Sequence, residues 1–345
     1  MYRKQFKFDF VFILLFITLL SCAASPEGEE HFWLRSKGAD MPVMVRGNKA
    51  SGIYIILSPG WPGLGLIYSI EESFLALEKD FALVYWNYRG SGSSRGSLPQ
   101  GEITMEEIIQ DLGILKDVIT EKYQSPDIYL LAHSFGGTVA GNYLAASEFN
   151  HGIRGLISLD SSLDRLQFMK HVRDLVVGLA EQSSDQKFKE EVLALYKTDP
   201  DNHSAFFPYA RERRILDPLL DKTRFFGNIL GQSFVQSFGN TEIITTQFGA
   251  FDKLYVTDDF PETIDEDIYV KDLEKITIPV ILLHGMLKHE GLGQENAAHV
   301  LALLGTSATQ KKYIMFEKSG HFLYVTEPEK FSKSVKSFIR ETQGG

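Results

Sequence analysis

Cysteine is almost absent from this chain of 345 residues, which has Cys22 and no other. A single thiol cannot form an internal disulfide, so covalent cross-links within the chain are excluded. The nine histidines do not suggest a metal site either, since no cluster of His and Cys has the spacing of a ligand set. We therefore expect neither a metal nor another cofactor.

Positive charge is also scarce. Lys and Arg number 35 against 45 Asp and Glu, which gives a formal net charge of -10 and a pI near 5.4. Phosphate binding needs dense basic patches, and Lys and Arg are concentrated only at the extreme N-terminus, so we expect no nucleic-acid partner. The 44% of hydrophobic residues can build a sizeable core, and the length suits one large domain with an inserted subdomain.

No apolar run reaches the roughly 20 residues that a membrane span requires. The mostly apolar stretch from Phe8 to Leu20 follows several basic residues and precedes small ones, which predicts a signal peptide over residues 1–21. The sequence before Cys22 resembles the bacterial lipobox, in which a lipid is attached to the cysteine. This resemblance implies export as a membrane-anchored lipoprotein, periplasmic or at the cell surface; a plain signal peptide and an uncleaved anchor are the alternatives. Residues 22–40 are then interpreted as a tether.

The sequence around Ser134 predicts a strand, a sharp turn and a helix. The apolar residues 128–132 lead into the segment His-Ser-Phe-Gly-Gly at 133–137, and a helix-compatible run follows at 138–146. A strand-to-helix turn this tight leaves no room for large side chains beside its central residue. The small residues that flank Ser134 therefore fit the turn, which would expose its hydroxyl to a substrate.

This pattern resembles the nucleophile elbow G-x-S-x-G, with Ala in the first position, of the α/β-hydrolase superfamily. The resemblance extends over nearly all of the chain after the N-terminal segment. It implies an α/β fold, with a doubly wound, mostly parallel sheet and an inserted helical cap. It also implies that Ser134 is the nucleophile and that the backbone N–H of Phe135 faces a developing oxyanion.

Two further segments match the family in the expected order. The loop Ser-Pro-Gly-Trp-Pro-Gly at 58–63 resembles the H-G-x-P-G loop, so the second oxyanion donor is expected to be the N–H of Trp61. Near the C-terminus, Ser-Gly-His-Phe at 319–322 occupies the place of the family's general base, which would be His321.

Between these segments the pattern changes in a way that predicts domain organisation. Strand-like runs cease after residue 161, and helical stretches rich in charge and aromatic residues take over. We interpret residues 41–161 and 273–345 as the two parts of the α/β-hydrolase core and residues 162–272 as the helical cap.

The triad acid departs from the family pattern. The family usually places it in the loop after the strand at 278–285, where this chain has Lys288. A lysine can neither orient the histidine nor stabilise its protonated form, so a carboxylate must come from elsewhere. Glu290, in the same loop, and Asp160, at the end of the strand before the cap, are the two candidates, and only one is expected to act.

The resemblance implies a serine hydrolase that cleaves an ester or an amide or peptide bond of a small substrate through an acyl-enzyme. The segments 58–63 and 84–90 look most like the prolyl-aminopeptidase branch, which favours peptides, whereas the general resemblance favours esters. Lys288 suggests the alternative of a catalytically inactive, lipid-anchored binding protein on the same fold. The sequence does not indicate an oligomeric state.

Overall fold

The computed structural model describes residues 28–60, 63–96, 103–146, 152–161, 163–206, 208–209, 273–286 and 294–343. The segment interpreted as a signal peptide, Cys22 and most of the interpreted cap lie outside these residues. Within the described ranges, no helix combines the length and the apolar character that crossing a bilayer requires.

A mixed sheet forms the centre of the described residues. Its nine strands are β1 (Glu30–Ser36), β2 (Ala39–Gly47), β3 (Ile53–Ser58), β4 (Ala82–Trp86), β5 (Arg95–Gly96), β6 (Asp127–His133), β7 (Ile153–Leu159), β8 (Val280–Gly285) and β9 (Lys311–Phe316). The strand order is β1-β2-β4-β3-β6-β7-β8-β9, and the short β5 pairs with β2. From β4 to β9 all neighbours are parallel, so the carboxyl ends of β3, β6, β7 and β8 meet at one edge.

Helices cover both faces of this sheet. They are α1 (Glu72–Glu78), α2 (Met105–Lys122), α3 (Phe135–Ala145), α4 (Arg165–Gln182), α5 (Gln186–Thr198), α6 (Gln294–Leu303), α7 (Leu323–Thr326) and α8 (Pro328–Gln343). One core cluster includes side chains of α2, α3 and α6, and the other includes α1, α7 and α8. The central strands are buried on both faces, which explains their continuous apolar runs. The predicted doubly wound, mostly parallel α/β architecture is confirmed.

The beginning of the fold corrects one predicted boundary. Residues 22–40 were expected to form a tether, but Glu30–Ser36 is strand β1, paired antiparallel with β2 from the Glu30–Val45 pair to the Ser36–Ala39 pair. Burial alternates regularly along this strand, but one of its outward-facing residues, Trp33, is aromatic and 46% exposed. An exposed aromatic residue and several polar ones gave this edge strand the composition of a linker.

The helices that follow β7 form a small unit with a core of its own. Apolar side chains of α4 and α5 pack on one another and on Phe206, separately from the two clusters on the sheet. Asp164 and Asp185 begin these two helices by accepting hydrogen bonds from the N–H groups of Gln167 and Phe188. The helical stretches expected from residue 210 onward lie outside the described residues.

Candidate active site

Ser134 lies at a strained turn between β6 and α3. Its φ of 53° and ψ of -121° are unusual for a residue with a side chain. The turn is held by two hydrogen bonds, from Ser134 N–H to the carbonyl oxygen of Leu159 (3.1 Å) and from Gly137 N–H to that of Ser134 (2.9 Å). Backbone strain of this kind is found where the surrounding structure enforces it, often at active sites.

Glycine is required on the helix side of this turn because another loop lies against it. A methyl group at Gly136 would overlap the carbonyl oxygen of Ser58, and one at Gly137 would overlap the side chain of Ser161. The turn can therefore pack against the carboxyl ends of β3 and β7 only if both positions lack a side chain.

The loop after β3 is held beside Ser134. A Cβ atom at Gly60 would lie 3.2 Å from Ser134 Cβ, so the two backbones are in close contact. The Ser58 hydroxyl donates to the carbonyl oxygen of Gly136 (2.9 Å), and Gly63 N–H donates to the carbonyl oxygen of Gly60 (2.7 Å). Trp61, the expected oxyanion donor, lies outside the described residues between these two glycines.

Phe135, the other expected donor, is the first residue of α3. Its N–H therefore lies at the positive end of the helix, where a developing negative charge is favoured. The Phe135 ring is buried against Tyr88, with the ring centroids 6.3 Å apart.

His321 and Asp160 form a hydrogen-bonded pair at the same edge of the sheet. Nδ1 of His321 lies 2.7 Å from Oδ2 of Asp160, and Oδ1 of Asp160 accepts from Gly285 N–H at 3.3 Å. Asp160 directly follows β7 and is 1% exposed, with a φ of 40° that places it in the left-handed region. The bond to Nδ1 leaves Nε2 as the nitrogen of His321 that can accept a proton.

A second carboxylate, that of Glu327, holds the loop that carries His321. Glu327 accepts from the Ser319 hydroxyl (2.6 Å) and from Lys318 N–H (3.0 Å), and the Thr326 hydroxyl donates to that of Ser319 (2.7 Å). These contacts hold the backbone just before His321. Within the part of the chain that the structure describes, no hydrogen bond joins His321 to the Ser134 hydroxyl; catalytic hydrogen bonds often tighten only when substrate is bound.

Two buried residues beside Ser134 and His321, namely His133 and Tyr68, were given no role by the sequence motifs. His133, directly before Ser134, places Nδ1 2.7 Å from the Tyr68 hydroxyl and Nε2 3.1 Å from the carbonyl oxygen of His321. The Tyr68 hydroxyl also accepts from Gly60 N–H at 3.2 Å. A histidine in the elbow is visible in the sequence, but its partners are distant in the chain and could not be foreseen.

Burial controls the charge of these side chains. It lowers the pKa of His133 well below its ordinary value, assisted by the nearby His321, and it raises the pKa of Tyr68. The pKa of His284 on β8 is also lowered by burial, and among the residues that the structure describes neither of its ring nitrogens has a hydrogen-bond partner. His133, Tyr68 and His284 are therefore neutral at ordinary pH.

Other predicted site residues cannot be located. Glu290, the second candidate acid, and Lys288, at the usual acid position, lie outside the described residues, as does Cys22. Among the residues that are described, no group of three or more His, Cys, Asp and Glu side chains is arranged to hold a metal ion.

A serine at a strained strand-to-helix turn, with a histidine–aspartate pair at the same edge of a parallel sheet, matches the arrangement of an α/β-hydrolase. The family model described as alpha/beta hydrolase fold matches residues 54–328, which is well over half of the chain. The chain therefore belongs to the alpha/beta hydrolase fold family.

The individual relatives share only a low sequence identity with this chain. Proline iminopeptidase of Saccharolobus solfataricus is 22% identical over 292 residues, which cover 84% of this chain and 86% of that protein. Among solved structures, VinJ is similar with a TM-score of 0.60 and 18% identity, covering 92% of this chain and 100% of VinJ. An esterase from Exiguobacterium antarcticum has a TM-score of 0.53 and 16% identity, covering 90% of this chain and 100% of the esterase.

Proposed function

We propose that this protein is a serine hydrolase that cleaves an ester or an amide or peptide bond of a small substrate through an acyl-enzyme. The observation that carries the proposal is the 2.7 Å hydrogen bond between His321 and the buried Asp160, close to the strained turn at Ser134. Membership of the alpha/beta hydrolase fold family, with an iminopeptidase and an esterase among the relatives, supports a hydrolase.

In the proposed mechanism, His321 accepts the proton of the Ser134 hydroxyl as its oxygen attacks the substrate carbonyl. The N–H groups of Phe135 and Trp61 stabilise the negative charge that develops on the carbonyl oxygen. His321 then donates its proton to the leaving group, and the same histidine activates the water that releases the acyl group.

We assign the acid of the triad to Asp160. Its carboxylate accepts from Nδ1 of His321, which fixes the tautomer with a basic Nε2 and stabilises the protonated ring. The second carboxylate oxygen is held by Gly285 N–H, so the group cannot rotate freely. In this proposal the lysine at position 288 is tolerated because the carboxylate comes from the end of β7, and Glu290 has no role in the triad.

The choice between ester and peptide substrates depends on residues of the interpreted cap, most of which lie outside the described residues. The iminopeptidase relative favours a peptide with an N-terminal proline, and the esterase neighbour favours a small ester. Assays of prolyl arylamides beside short-chain aryl esters, with the Ser134→Ala variant as the blank, would distinguish the two classes.

Covalent labelling by a fluorophosphonate probe tests the mechanism without requiring a known substrate. We expect the full chain to be labelled, Ser134→Ala and His321→Ala to be unlabelled, and Asp160→Ala to be labelled much more slowly. Glu290→Ala is the matched control, and its labelling is expected to equal that of the wild type. Loss of labelling in Glu290→Ala but not in Asp160→Ala would reverse the assignment of the acid.

The competing function is a catalytically inactive binding protein on the same fold. Its motivation is Lys288 at the usual acid position, whereas the Asp160–His321 hydrogen bond argues against it. Folded wild-type protein that the fluorophosphonate does not label at Ser134 would favour this alternative.

We also propose that the protein is exported and anchored to a membrane through lipid on Cys22, after removal of residues 1–21. The support is the sequence alone, namely a basic segment, a short apolar stretch and one cysteine at its end. Metabolic labelling with radioactive palmitate should mark the wild type and not Cys22→Ala. Equal labelling of both would contradict lipidation at this residue.

A further inference from the structure

Three loops of the candidate site are connected by one chain of buried hydrogen bonds. Gly60 belongs to the loop after β3, His133 ends β6 directly before Ser134, and His321 is the proposed base. Tyr68, from the turn of 3-10 helix at Gly65–Ile70, lies between the first two. The contacts are Gly60 to Tyr68 at 3.2 Å, Tyr68 to His133 at 2.7 Å, and His133 to the backbone of His321 at 3.1 Å.

The chemistry of these atoms permits only one direction of donation. The carbonyl oxygen of His321 can only accept, so Nε2 of His133 carries the hydrogen. Nδ1 of the neutral ring is then an acceptor and must receive the Tyr68 hydroxyl hydrogen. The Tyr68 oxygen in turn accepts from Gly60 N–H. The middle link, from the Tyr68 hydroxyl to Nδ1, requires that both His133 and Tyr68 be neutral, as burial makes them.

Aromatic packing prevents these rings from rotating away. The His133 ring centroid is 4.6 Å from that of His321, 5.3 Å from that of Tyr324 and 5.8 Å from that of Tyr68. Tyr324 also packs on Tyr68, with centroids 5.4 Å apart, and the two hydroxyl groups interact. His133 and Tyr68 are 2% and 3% exposed, so water cannot easily replace a lost partner.

We propose that Tyr68 and His133 are positioning residues, which set the distance between the Gly60 loop and the His321 backbone on either side of Ser134. This inference rests on the proposed serine hydrolase function. Both ring nitrogens of His133 are already engaged, so this histidine does not exchange protons with substrate. Its effect is on the alignment of His321 and the Gly60 loop with Ser134, and therefore on the rate of the chemical step more than on the affinity for substrate.

Labelling kinetics with the fluorophosphonate probe test this role in the full chain. Tyr68→Phe keeps the ring and removes only the hydroxyl, so Gly60 N–H loses its acceptor and His133 its donor. We expect the maximal rate of labelling to fall about ten- to a hundredfold, while the probe concentration giving half-maximal rate changes little. Tyr85→Phe is the matched control, because Tyr85 is a buried tyrosine of the same core cluster whose hydroxyl binds Glu78.

A pair of variants at His133 separates positioning from packing. His133→Leu fills similar space without a donor, whereas the amide N–H of His133→Gln reaches about as far as Nε2 and can still donate to the His321 carbonyl. We expect labelling to be slow in the leucine variant and partly restored in the glutamine variant. Thermal unfolding of each variant identifies any that does not fold, in which case Tyr68→Phe decides the question.

The outcomes distinguish this inference from the function on which it rests. Wild-type labelling that depends on Ser134, with Tyr68→Phe as fast as the wild type, would overturn the positioning role and leave the hydrolase intact. Equal slowing in Tyr68→Phe and Tyr85→Phe would overturn it too, because a general loss of stability would then explain both. Absence of labelling in the wild type would refute the hydrolase itself.

Discussion

Two aspartates close together in the chain each bind a histidine, and their comparison shows what an Asp–His pair does and does not indicate. Asp160 lies 2.7 Å from His321, and Asp164 lies 2.8 Å from His299. Both carboxylates are 1% exposed, and each also accepts a backbone N–H. By distance and burial of the acid the two pairs are nearly equivalent, although His321 is bound through Nδ1 and His299 through Nε2.

The surroundings of the two pairs differ. Asp160 has a left-handed backbone, and its histidine side chain is only 13% exposed, at the sheet edge that also holds Ser134. Asp164 has extended backbone and begins helix α4, and its histidine is 41% exposed on α6. The first pair is enclosed beside a strained serine, whereas the second joins two helices. The proposed catalytic assignment therefore depends on the neighbouring serine, on burial of the histidine and on the bond through Nδ1, not on the mere presence of an Asp–His pair.

Replacing each aspartate by asparagine should give the largest difference between the two pairs, measured as the loss of activity. Asparagine keeps the shape but cannot stabilise a protonated histidine, so Asp160→Asn is expected to lower kcat by about a thousandfold or more. Asp164→Asn should have activity close to that of the wild type, because asparagine begins a helix about as well as aspartate. Steady-state hydrolysis of an aryl ester measures both. Comparable losses in the two variants would refute the proposed difference, and full activity of Asp160→Asn would redirect the search to Glu290.

The contrast between the candidate site and helices α4 and α5 should extend to glycine. Gly136→Ala would force a methyl group into the carbonyl oxygen of Ser58, so we expect a loss of about 3 kcal/mol in the free energy of unfolding. Gly178 lies within α4, and outside its own helix turn no described atom lies within 4 Å of the Cβ position, so Gly178→Ala should stabilise by roughly 0.5–1 kcal/mol. Denaturant unfolding monitored by circular dichroism measures both values. A tolerated alanine at residue 136 would mean that the turn and the loop after β3 are not in close contact.

The sequence predicted local features of the site better than distant ones. The strand, turn and helix around Ser134 could be predicted because small residues and apolar periodicity lie within a few positions of one another. No local signal could choose between Asp160 and Glu290, since the partner of His321 depends on which strand ends lie side by side in the sheet. For the same reason, the contacts of Tyr68 and His133 could not be predicted from the sequence. Their hydrogen bonds join segments that only the folded sheet brings together.

A third sheltered carboxylate, Glu71, lacks the partners that Asp160 and Asp164 have, and it should give the smallest of these effects. Within the described residues its side chain has no hydrogen bond, and burial alone raises its pKa from 4.5 to about 7. The folded protein therefore binds more protons at Glu71 than the unfolded chain does between about pH 4.5 and 7, so this residue reduces stability as pH rises through that window. Glu71→Gln removes the charge, and we expect its Tm to exceed that of the wild type by a few degrees at pH 8 and to equal it at pH 4. The neighbouring exposed Glu72, replaced by Gln, is the control that should show no such dependence. If Tm depends on pH in the same way in Glu71→Gln and Glu72→Gln, burial does not raise the pKa of Glu71. The contrast with Asp160, a buried carboxylate that has a histidine partner, would then be lost.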